Sequence, residues 1–219
     1  MNNGRTTVNK IAKFLRQEIT YSRLKPGQHV KEAGISKKFN VSRVPVREAF
    51  RILQSEGYLE VRHNKGCFVK KVSDEYFIQT SIVYRLLVPE LLERAIPRYN
   101  KKTYEKAERV LTKLEKCRDF YKSGYLQWDF AKVIYYPSNM KYLLGVFDDM
   151  YRHSIRLLNE FFENKEHEEF KATSHRHFLE LCRNNRKKEA INYWMDFIDK
   201  IIAQIMLVKK IKTDTNYFN

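Results

Sequence analysis

The feature that most limits the possible fold is a change of hydrophobic spacing within residues 1–72. Ile11, Leu15 and Ile19 recur every four residues, which predicts one buried stripe along a first helix. The sequence KPGQ (25–28) follows this stripe, and its proline and glycine should end the helix before it. The chain therefore begins as a helical structure.

Two more helices are predicted before the spacing changes. Ile35 and Phe39 indicate a short second helix, which is followed by a tight connection. Ser42 is placed to cap a third helix, and Pro45 is tolerated because it falls in the first turn. Gly57 should end that third helix.

The segment YLEVRHNKGCFVKKV (58–72) has a different pattern, because apolar and polar residues alternate on both sides of HNKG. Such alternation around a turn that contains Gly66 predicts a β-hairpin. Three helices followed by a hairpin is the order of a winged helix-turn-helix. We therefore predict this fold for residues 1–72.

Three arginines, Arg43, Arg47 and Arg51, follow one another at four-residue spacing on the predicted third helix. Residues at this spacing lie above one another, so the apolar residues of the same helix can face the core. An arginine fork can pair with guanine or with phosphate. A solvated charged face would also account for three arginines, but their position on the last helix before a basic hairpin favours DNA.

The distribution of charge points to a polyanionic partner for the same part of the chain. The net charge is +16, and residues 1–72 carry 16 basic and 5 acidic side chains, against 26 and 21 in residues 73–219. His63, Asn64 and Lys65 lie at the predicted tip of the hairpin, where they would reach the adjacent DNA backbone or minor groove. We predict double-stranded DNA as the partner.

The run LKPGQHVKEAGISKKFNVSRVPVREAFRILQSEGYLEVRHNKGCFV (24–69) resembles the DNA-binding domain of the GntR family of bacterial transcription regulators. The family pattern of PG, E, VSR-x-PVREA, L-x-x-EG and G-x-F-V is present, although Val44 stands where the family usually has threonine. The resemblance implies that DNA is contacted by the start of the third helix and by the wing. With Arg51 added from the helix spacing, the candidate DNA-binding residues are Ser42, Arg43, Pro45, Val46, Arg47, Arg51, His63, Lys65 and Gly66.

Helical spacing dominates residues 73–219, where glycine and proline become scarce. Breaks near Pro97, Gly124, Pro137 and the NNRKK segment divide this region into about six helices. The predicted fold class is therefore mainly α, with an N-terminal winged helix-turn-helix (1–72) and a C-terminal all-helical bundle (73–219).

In length and layout this helical part is similar to the ligand-sensing FCD-type domain of the FadR subfamily, nearer its shorter six-helix branch. The segments PSN (137–139) and SHRHFLELCRNNRKKEAINYWM (174–195) carry the resemblance. Members often hold a divalent metal through Asp-x-x-x-His and two later histidines. Here Asp129 is present, but Val133 replaces the paired histidine, and Phe197 or Ile198 takes the place of the last one. We therefore expect no metal and no other cofactor.

Without a metal, a small-molecule effector would have to be held by side chains. Arg85 shares a helix face with apolar residues, so it either extends to solvent or anchors an anion. His175 is either a ligand-binding residue or a buried structural residue. The candidate effector-binding residues are Arg85, Asn139, Arg152 and His175, and the expected ligand is a small, mono-anionic or polar, partly apolar molecule.

Other classes of protein are disfavoured. No nucleophile with a base, no phosphate-cradling glycine loop and no plausible pair of carboxylates can be recognised, so we predict no catalytic residues. The apolar runs are too short to span a membrane, and the start lacks a signal-peptide core, so a cytoplasmic protein is expected. Cys67, Cys117 and Cys182 suggest reduced thiols, with Cys67 either a redox sensor or a small apolar residue of the wing.

These observations together predict a homodimeric transcription regulator, expected to be a repressor, that binds an inverted-repeat operator. Its helical part would form the dimer and sense a small molecule. Two alternatives stay open: a sequence-tolerant architectural DNA-binding protein whose helical domain only dimerises, and a ligand-binding or metabolic protein with a vestigial DNA-binding head.

Overall fold

A computed structural model describes residues 2–21, 23–162 and 172–209. The chain separates into two compact units, Met1–Val72 and Ser73–Asn219. Each unit has its own hydrophobic core. Helices dominate both, and the described residues contain one two-stranded sheet, which lies in the first unit.

The first unit has the order predicted from the sequence, three helices and then a hairpin. The two strands are antiparallel, with Leu59 opposite Val69. Residues 27–30 run along the second strand, since the Val30 amide donates to the Cys67 carbonyl at 2.8 Å. The predicted winged helix-turn-helix is confirmed, and its elements are α1 (Asn2–Thr20), α2 (Glu32–Phe39), α3 (Arg43–Ser55), β1 (Leu59–Arg62) and β2 (Gly66–Val69).

Residues with a left-handed backbone end the second and third helices. Asn40 adopts φ 49° after α2, and Gly57 adopts φ 72° after α3. Asparagine and glycine tolerate this conformation better than other residues do. The predicted ends of both helices are therefore confirmed, and the short connection between α2 and α3 fixes their relative direction.

The apolar stripes of α1 and α3 meet in the core of the first unit, where Ile11, Leu15 and Leu53 are fully buried. An ion pair adds to this packing, because the Arg16 guanidinium donates to both carboxylate oxygens of Glu56 at 2.8–2.9 Å. Such a two-pronged contact has a defined geometry. It ties α1 to the C-terminal end of α3 and so helps to set the position of α3.

The described part of the second unit consists of six α-helices, the number predicted. Short 3-10 turns follow the first and third of them, at Ile96–Arg98 and Tyr136–Ser138. The first helix of this unit packs against the third, fourth and sixth. The helices are α4 (Asp74–Ala95), α5 (Lys101–Lys116), α6 (Phe120–Tyr135), α7 (Lys141–Phe162), α8 (Ala172–Arg183) and α9 (Lys187–Lys209).

Three of the four predicted breaks in this unit are confirmed, at Pro97, Pro137 and the NNRKK segment. The break near Gly124 is wrong, because Gly124 lies inside α6. The helix begins after Asp119, whose carboxylate accepts the Lys122 amide at 3.1 Å. A glycine inside a helix costs only about 1 kcal/mol relative to alanine, which a cap and a buried face can offset.

The core of the second unit is rich in aromatic side chains. Phe130, Tyr135, Phe147 and Phe178 are among its largest fully buried residues. None of the helices in the described ranges is long and apolar enough to cross a membrane.

Candidate nucleic-acid interface

Helix α3 separates an apolar face from a basic one. Val46, Ala49, Phe50 and Leu53 are buried. Arg43, Arg47 and Arg51 are exposed and lie four residues apart on another side of the helix. This separation places the three guanidinium groups where a ligand outside the protein can reach them.

The N-terminus of α3 adds hydrogen-bond donors to this surface. Ser42 occupies the cap position with an extended backbone, but its hydroxyl makes no capping hydrogen bond. The amides of a first helical turn have no partner within the helix, so with the Ser42 hydroxyl they can face a phosphate. Pro45 is half-buried in this turn and has no N–H to offer.

Arg47 is oriented by an acidic residue of the neighbouring helix. Its Nε lies 3.0 Å from Glu32 Oε2 and 3.1 Å from Glu32 Oε1. Glu32 is the first residue of α2, where a negative charge is also favoured by the helix dipole. The Arg47 side chain is still 62% exposed, so its guanidinium remains accessible.

The assignment of Val46 to the interface is corrected by the structure. Its side chain is 0% exposed, because it is part of the core between α1 and α3. The Val46 side chain supports the helix and is not accessible to a ligand. Val44, two residues earlier, is 65% exposed in the first turn of α3. Its side chain, which stands where the GntR pattern usually has threonine, is therefore the accessible one of the two.

The turn of the hairpin presents His63 and Lys65 to solvent. Asn64 adopts φ 55° and Gly66 adopts φ 92°, so both have the left-handed backbone that such a turn requires. The Lys65 amide donates to the Arg62 carbonyl at 3.0 Å and closes the turn. This hairpin tip is the wing of the fold.

Close packing explains why position 66 is glycine. A Cβ atom at Gly66 would lie 2.7 Å from His29 Nε2, which is closer than side chains approach one another. The His29 ring stacks on Phe68 with 4.8 Å between ring centres, and the Arg62 guanidinium lies 4.2 Å from the Phe68 ring centre. Gly66 therefore contributes its backbone and leaves room for the His29 ring, and the stacking of His29 and Arg62 on Phe68 braces the wing.

Cys67 lies on the buried side of this hairpin. Burial raises its pKa from the ordinary 9.0 to about 11, with the negative charge of Glu32 adding to the effect. Only the thiolate is strongly nucleophilic, so this thiol is protonated near neutral pH. The buried position of Cys67 therefore favours its interpretation as a small apolar residue of the wing over that as a redox sensor.

In the second unit, His175 is 1% exposed and lies in an aromatic environment. Its Nε2 is 2.7 Å from Gln127 Oε1, and the rings of Phe130, Trp194 and Phe197 lie within 5.3 Å of its ring centre. It lines a cavity between the helices of this unit.

The other three candidate effector-binding residues do not line that cavity, so the structure does not bring the four candidates together there. Arg85 Nε lies 3.2 Å from Asp199 Oδ1, in an ion pair between α4 and α9. Asn139 is exposed and has φ 59° after the second 3-10 turn. Arg152 Nε donates to the Asp148 carbonyl at 3.3 Å, one helical turn earlier.

The side chains around His175 do not fit the metal site of the FadR subfamily. Asp129 is exposed and pairs with Lys132 at 2.7 Å. Phe197, one of the two positions where the last histidine was expected, makes an edge-on ring contact with His175. Among residues 2–21, 23–162 and 172–209, no three His, Cys, Asp or Glu side chains are grouped to hold a metal ion.

Residues 7–69 match the family model described as bacterial regulatory proteins, gntR family. The HTH-type transcriptional repressor RspR of Escherichia coli K12 is 41% identical over 64 residues, which cover 29% of this chain and 28% of RspR. The probable D-xylose utilization operon transcriptional repressor of Paenarthrobacter nicotinovorans is 32% identical over 122 residues, which cover 55% of this chain and 52% of that repressor. The chain thus spans between about a quarter and half the length of these curated relatives.

Two solved structures are similar along most of the chain. The GntR transcriptional regulator from Rhodococcus sp. RHA1 has a TM-score of 0.80 and 18% identity, covering 92% of this chain and 98% of that one. Escherichia coli McbR/YncC has a TM-score of 0.78 and 18% identity, covering 93% of this chain and 98% of that one. At this identity the likeness shows the fold alone: a winged helix-turn-helix followed by a helical domain.

Proposed function

We propose that this protein is a DNA-binding transcription regulator of the GntR family. The observation that carries the proposal is the exposed row of Arg43, Arg47 and Arg51 on the last helix before a basic wing. The family match over residues 7–69 covers both of these elements. An exposed row of arginines elsewhere would be a solvated face, but this helix is the one that such domains insert into the major groove.

The geometry suggests different roles for the basic residues. Arg43 and Arg47 lie near the N-terminal end of α3, the end that meets base edges, and each can donate two hydrogen bonds to a guanine. Arg51 lies one turn further along and would pair with phosphate, as would the Ser42 hydroxyl. His63 and Lys65 at the wing tip would contact the adjacent backbone or minor groove.

The protein would act as a homodimer on an inverted-repeat operator, because one α3 reads only a half-site. The second unit offers an apolar surface for a second copy: Val83 is 39% and Leu86 is 74% exposed, three residues apart on α4. Apolar side chains of this size are unfavourable in water and suit an interface. In sedimentation experiments, Leu86→Glu should weaken the dimer, whereas an unchanged dimer would remove this face from the proposal.

The helical second unit would belong to the FadR subfamily, as an FCD-type domain of the shorter six-helix branch that senses a small molecule. Its six described helices and the cavity beside His175 support this. Two relatives are named as repressors, which supports repression as the mode of action.

A regulator of this kind would work in the cytoplasm, where bacterial DNA lies, and would need no catalytic residues. The relatives with a stated role are named as transcriptional repressors, not as enzymes. We also propose that it works without a metal or other cofactor. Two contacts support this. The Phe197 ring packs on His175, and the Asp129 carboxylate, one of the expected metal ligands, pairs with Lys132 instead.

Selection of bound sites from a random DNA pool tests the proposal. We expect enriched sites with two inverted half-sites, spaced by about one helical turn of DNA or a multiple of it. A pool that shows no enriched sequence after repeated rounds, although the protein retains DNA, would favour the architectural alternative. A protein that retains no DNA would favour a vestigial head.

A further inference from the structure

The second unit contains a cavity of about 110 Å³. We infer that this cavity binds a small, uncharged and largely apolar molecule, an inference that rests on the proposed sensing role of this unit. The sequence led us to expect a mono-anionic or polar, partly apolar ligand, and the side chains that line the cavity disfavour the anion.

The lining comes from five helices, α4, α6, α7, α8 and α9, and most of its side chains are aromatic or aliphatic. Phe130, Trp194 and Ile198 are typical members. Its other members are the uncharged polar residues Thr80, Ser81, Gln127 and Ser154 and the imidazole of His175. The described residues that line the cavity include no lysine, arginine, aspartate or glutamate. A cavity of roughly 150 Å³ can hold benzene, so this smaller one suits a short branched chain or a comparably small molecule.

The polar groups at the cavity are few, and several are engaged within the chain. The hydroxyls of Thr80 and Ser81 donate to the Phe77 carbonyl at 3.0 Å and 2.7 Å. The Nε2 atom of His175 is 2.7 Å from Gln127 Oε1. Such groups can share a hydrogen bond with a neutral ligand, but they supply no fixed positive charge.

An anion in this cavity would lose its water without gaining a cation. Arg85 on the same helix as Thr80 and Ser81 is paired with Asp199 and lies outside the lining. Burial of a charge without a partner is strongly unfavourable, whereas an apolar molecule gains from leaving water. The cavity should therefore select against carboxylates.

The position of the cavity along the chain offers a route from ligand to wing. Phe77, Thr80, Ser81 and Tyr84 line it from the first three turns of α4, and this helix begins five residues after β2 ends. A ligand that packs against these turns can shift operator binding only to the extent that it prefers one arrangement of the helix start over another.

The two tryptophans of the chain provide a direct measurement by NMR. Trp194 lines the cavity, and its indole N–H donates to the Tyr135 hydroxyl at 2.6 Å. Trp128 donates to Asp148 Oδ1 at 3.2 Å and does not line the cavity, so its N–H signal is an internal control.

The probes are two pairs of nearly equal shape and different charge, propionamide with propionate and isobutyramide with isobutyrate. We expect at least one amide to shift the Trp194 N–H signal in a saturable way while the Trp128 signal stays in place. The matched carboxylate should bind at least tenfold more weakly. Equal or tighter binding of the carboxylate, or no shift with either amide, would overturn the inference.

Two substitutions that fill the cavity provide a second test on the full chain. Ser81→Leu and Ala131→Leu each place a larger side chain in it, and either suffices if the other fails to fold. Gln79→Leu adds the same side chain at an exposed position of α4 and is the matched control. We expect the cavity variants to weaken amide binding at least tenfold and Gln79→Leu to leave it unchanged. If a folded cavity variant binds the amide as tightly as the wild type does, the amide binds outside the cavity and the inference is wrong.

DNA binding measured on the same samples separates this inference from the proposed function. Selective operator binding without any effect of the amides on Trp194 would defeat the inference alone. Amide binding in a protein that does not select DNA would defeat the proposed regulator and leave the chemistry of the cavity in place.

Discussion

Arg47 Nε lies 3.0 Å from Glu32 Oε2, so the central arginine of the basic row on α3 is held by the first residue of α2. The pair connects the two helices of the helix-turn-helix on their exposed side. It limits the directions in which the Arg47 fork can point. The same carboxylate also repels phosphate, so it should lower affinity for DNA of any sequence while improving selectivity.

Glu32→Gln tests this double role. We expect random DNA to bind more tightly, because one negative charge is removed, and the preference for operator over random DNA to fall. Folding stability should change by no more than about 1 kcal/mol, since exposed ion pairs contribute little. Titrations of both DNAs at one salt concentration measure the two effects. The control is Glu18→Gln, which breaks the pair between Glu18 of α1 and Arg23, three residues beyond the end of that helix. A loss of selectivity equal to that of the control would contradict the role of Glu32.

The arginines of α3 and the lysine of the wing should differ in their effects. Arg43→Ala and Arg47→Ala should each cost about 1 to 3 kcal/mol of operator binding and relax the preference at particular base pairs. Lys65→Ala should weaken all DNA more evenly, because a phosphate contact carries no sequence information. Binding-site selection with each variant makes the comparison. Equal losses on operator and random DNA for all three would refute these roles.

Val44 should influence which base is preferred at one operator position. An exposed valine can pack against the methyl group of thymine, whereas threonine adds a hydroxyl that can donate to phosphate or to a base edge. Val44→Thr should therefore change the preference at a single base pair per half-site and leave the others as they are. The control is Val61→Thr, the same replacement at another exposed valine, in β1. An unchanged site preference in Val44→Thr would exclude base contact by Val44.

The exposed row of arginines on α3 and the basic hairpin beside it could be predicted from the sequence because their signals are local. The spacing of Arg43, Arg47 and Arg51 on one helix fixes which side they share, and the hairpin follows directly along the chain. The Glu32–Arg47 pair could not be predicted, since it depends on how α2 and α3 pack. Val46 was assigned by resemblance, although the apolar spacing of the same helix already placed it in the core.

The effector residues were harder to predict, because their environment is made by distant helices. Arg85 meets Asp199, more than a hundred positions later in the chain, and single-helix spacing contains no information on that partner. His175 was chosen as a candidate because it stands at a position of the subfamily pattern. Its burial agrees with both interpretations, an effector-binding residue and a structural residue. The break near Gly124 failed for a local reason, since the cap at Asp119 set the start of α6.

The buried thiols should react slowly with iodoacetamide. Burial raises the pKa of Cys67 to about 11 and that of Cys182 to about 12, whereas Cys117 is half-buried. At pH 9 only about one Cys67 thiol in a hundred would be a thiolate, so Cys117 should be modified first, as mass spectrometry can show. The folded chain holds the Cys67 proton more tightly than the unfolded chain does, so the free energy of unfolding should fall as the pH rises from 9 to 11. Modification of Cys67 ahead of Cys117 would restore the redox-sensor hypothesis.

The protein should purify without stoichiometric zinc, manganese or nickel. A tight ligand stabilises a folded protein by mass action, so adding these ions should raise the melting temperature little. Elemental analysis and thermal melts make the measurement. One metal per chain that is lost in His175→Ala would contradict the expectation, because His175 is the histidine retained from the subfamily pattern.

The ratio of operator to random-DNA affinity, measured at one fixed salt concentration with the selected site, is the most direct test of a sequence-specific regulator. Binding through base contacts by Arg43 and Arg47 predicts a ratio of at least about a thousand. Phosphate contacts alone bind every sequence alike, so a ratio near one would contradict specific regulation and assign the basic surface to an architectural role.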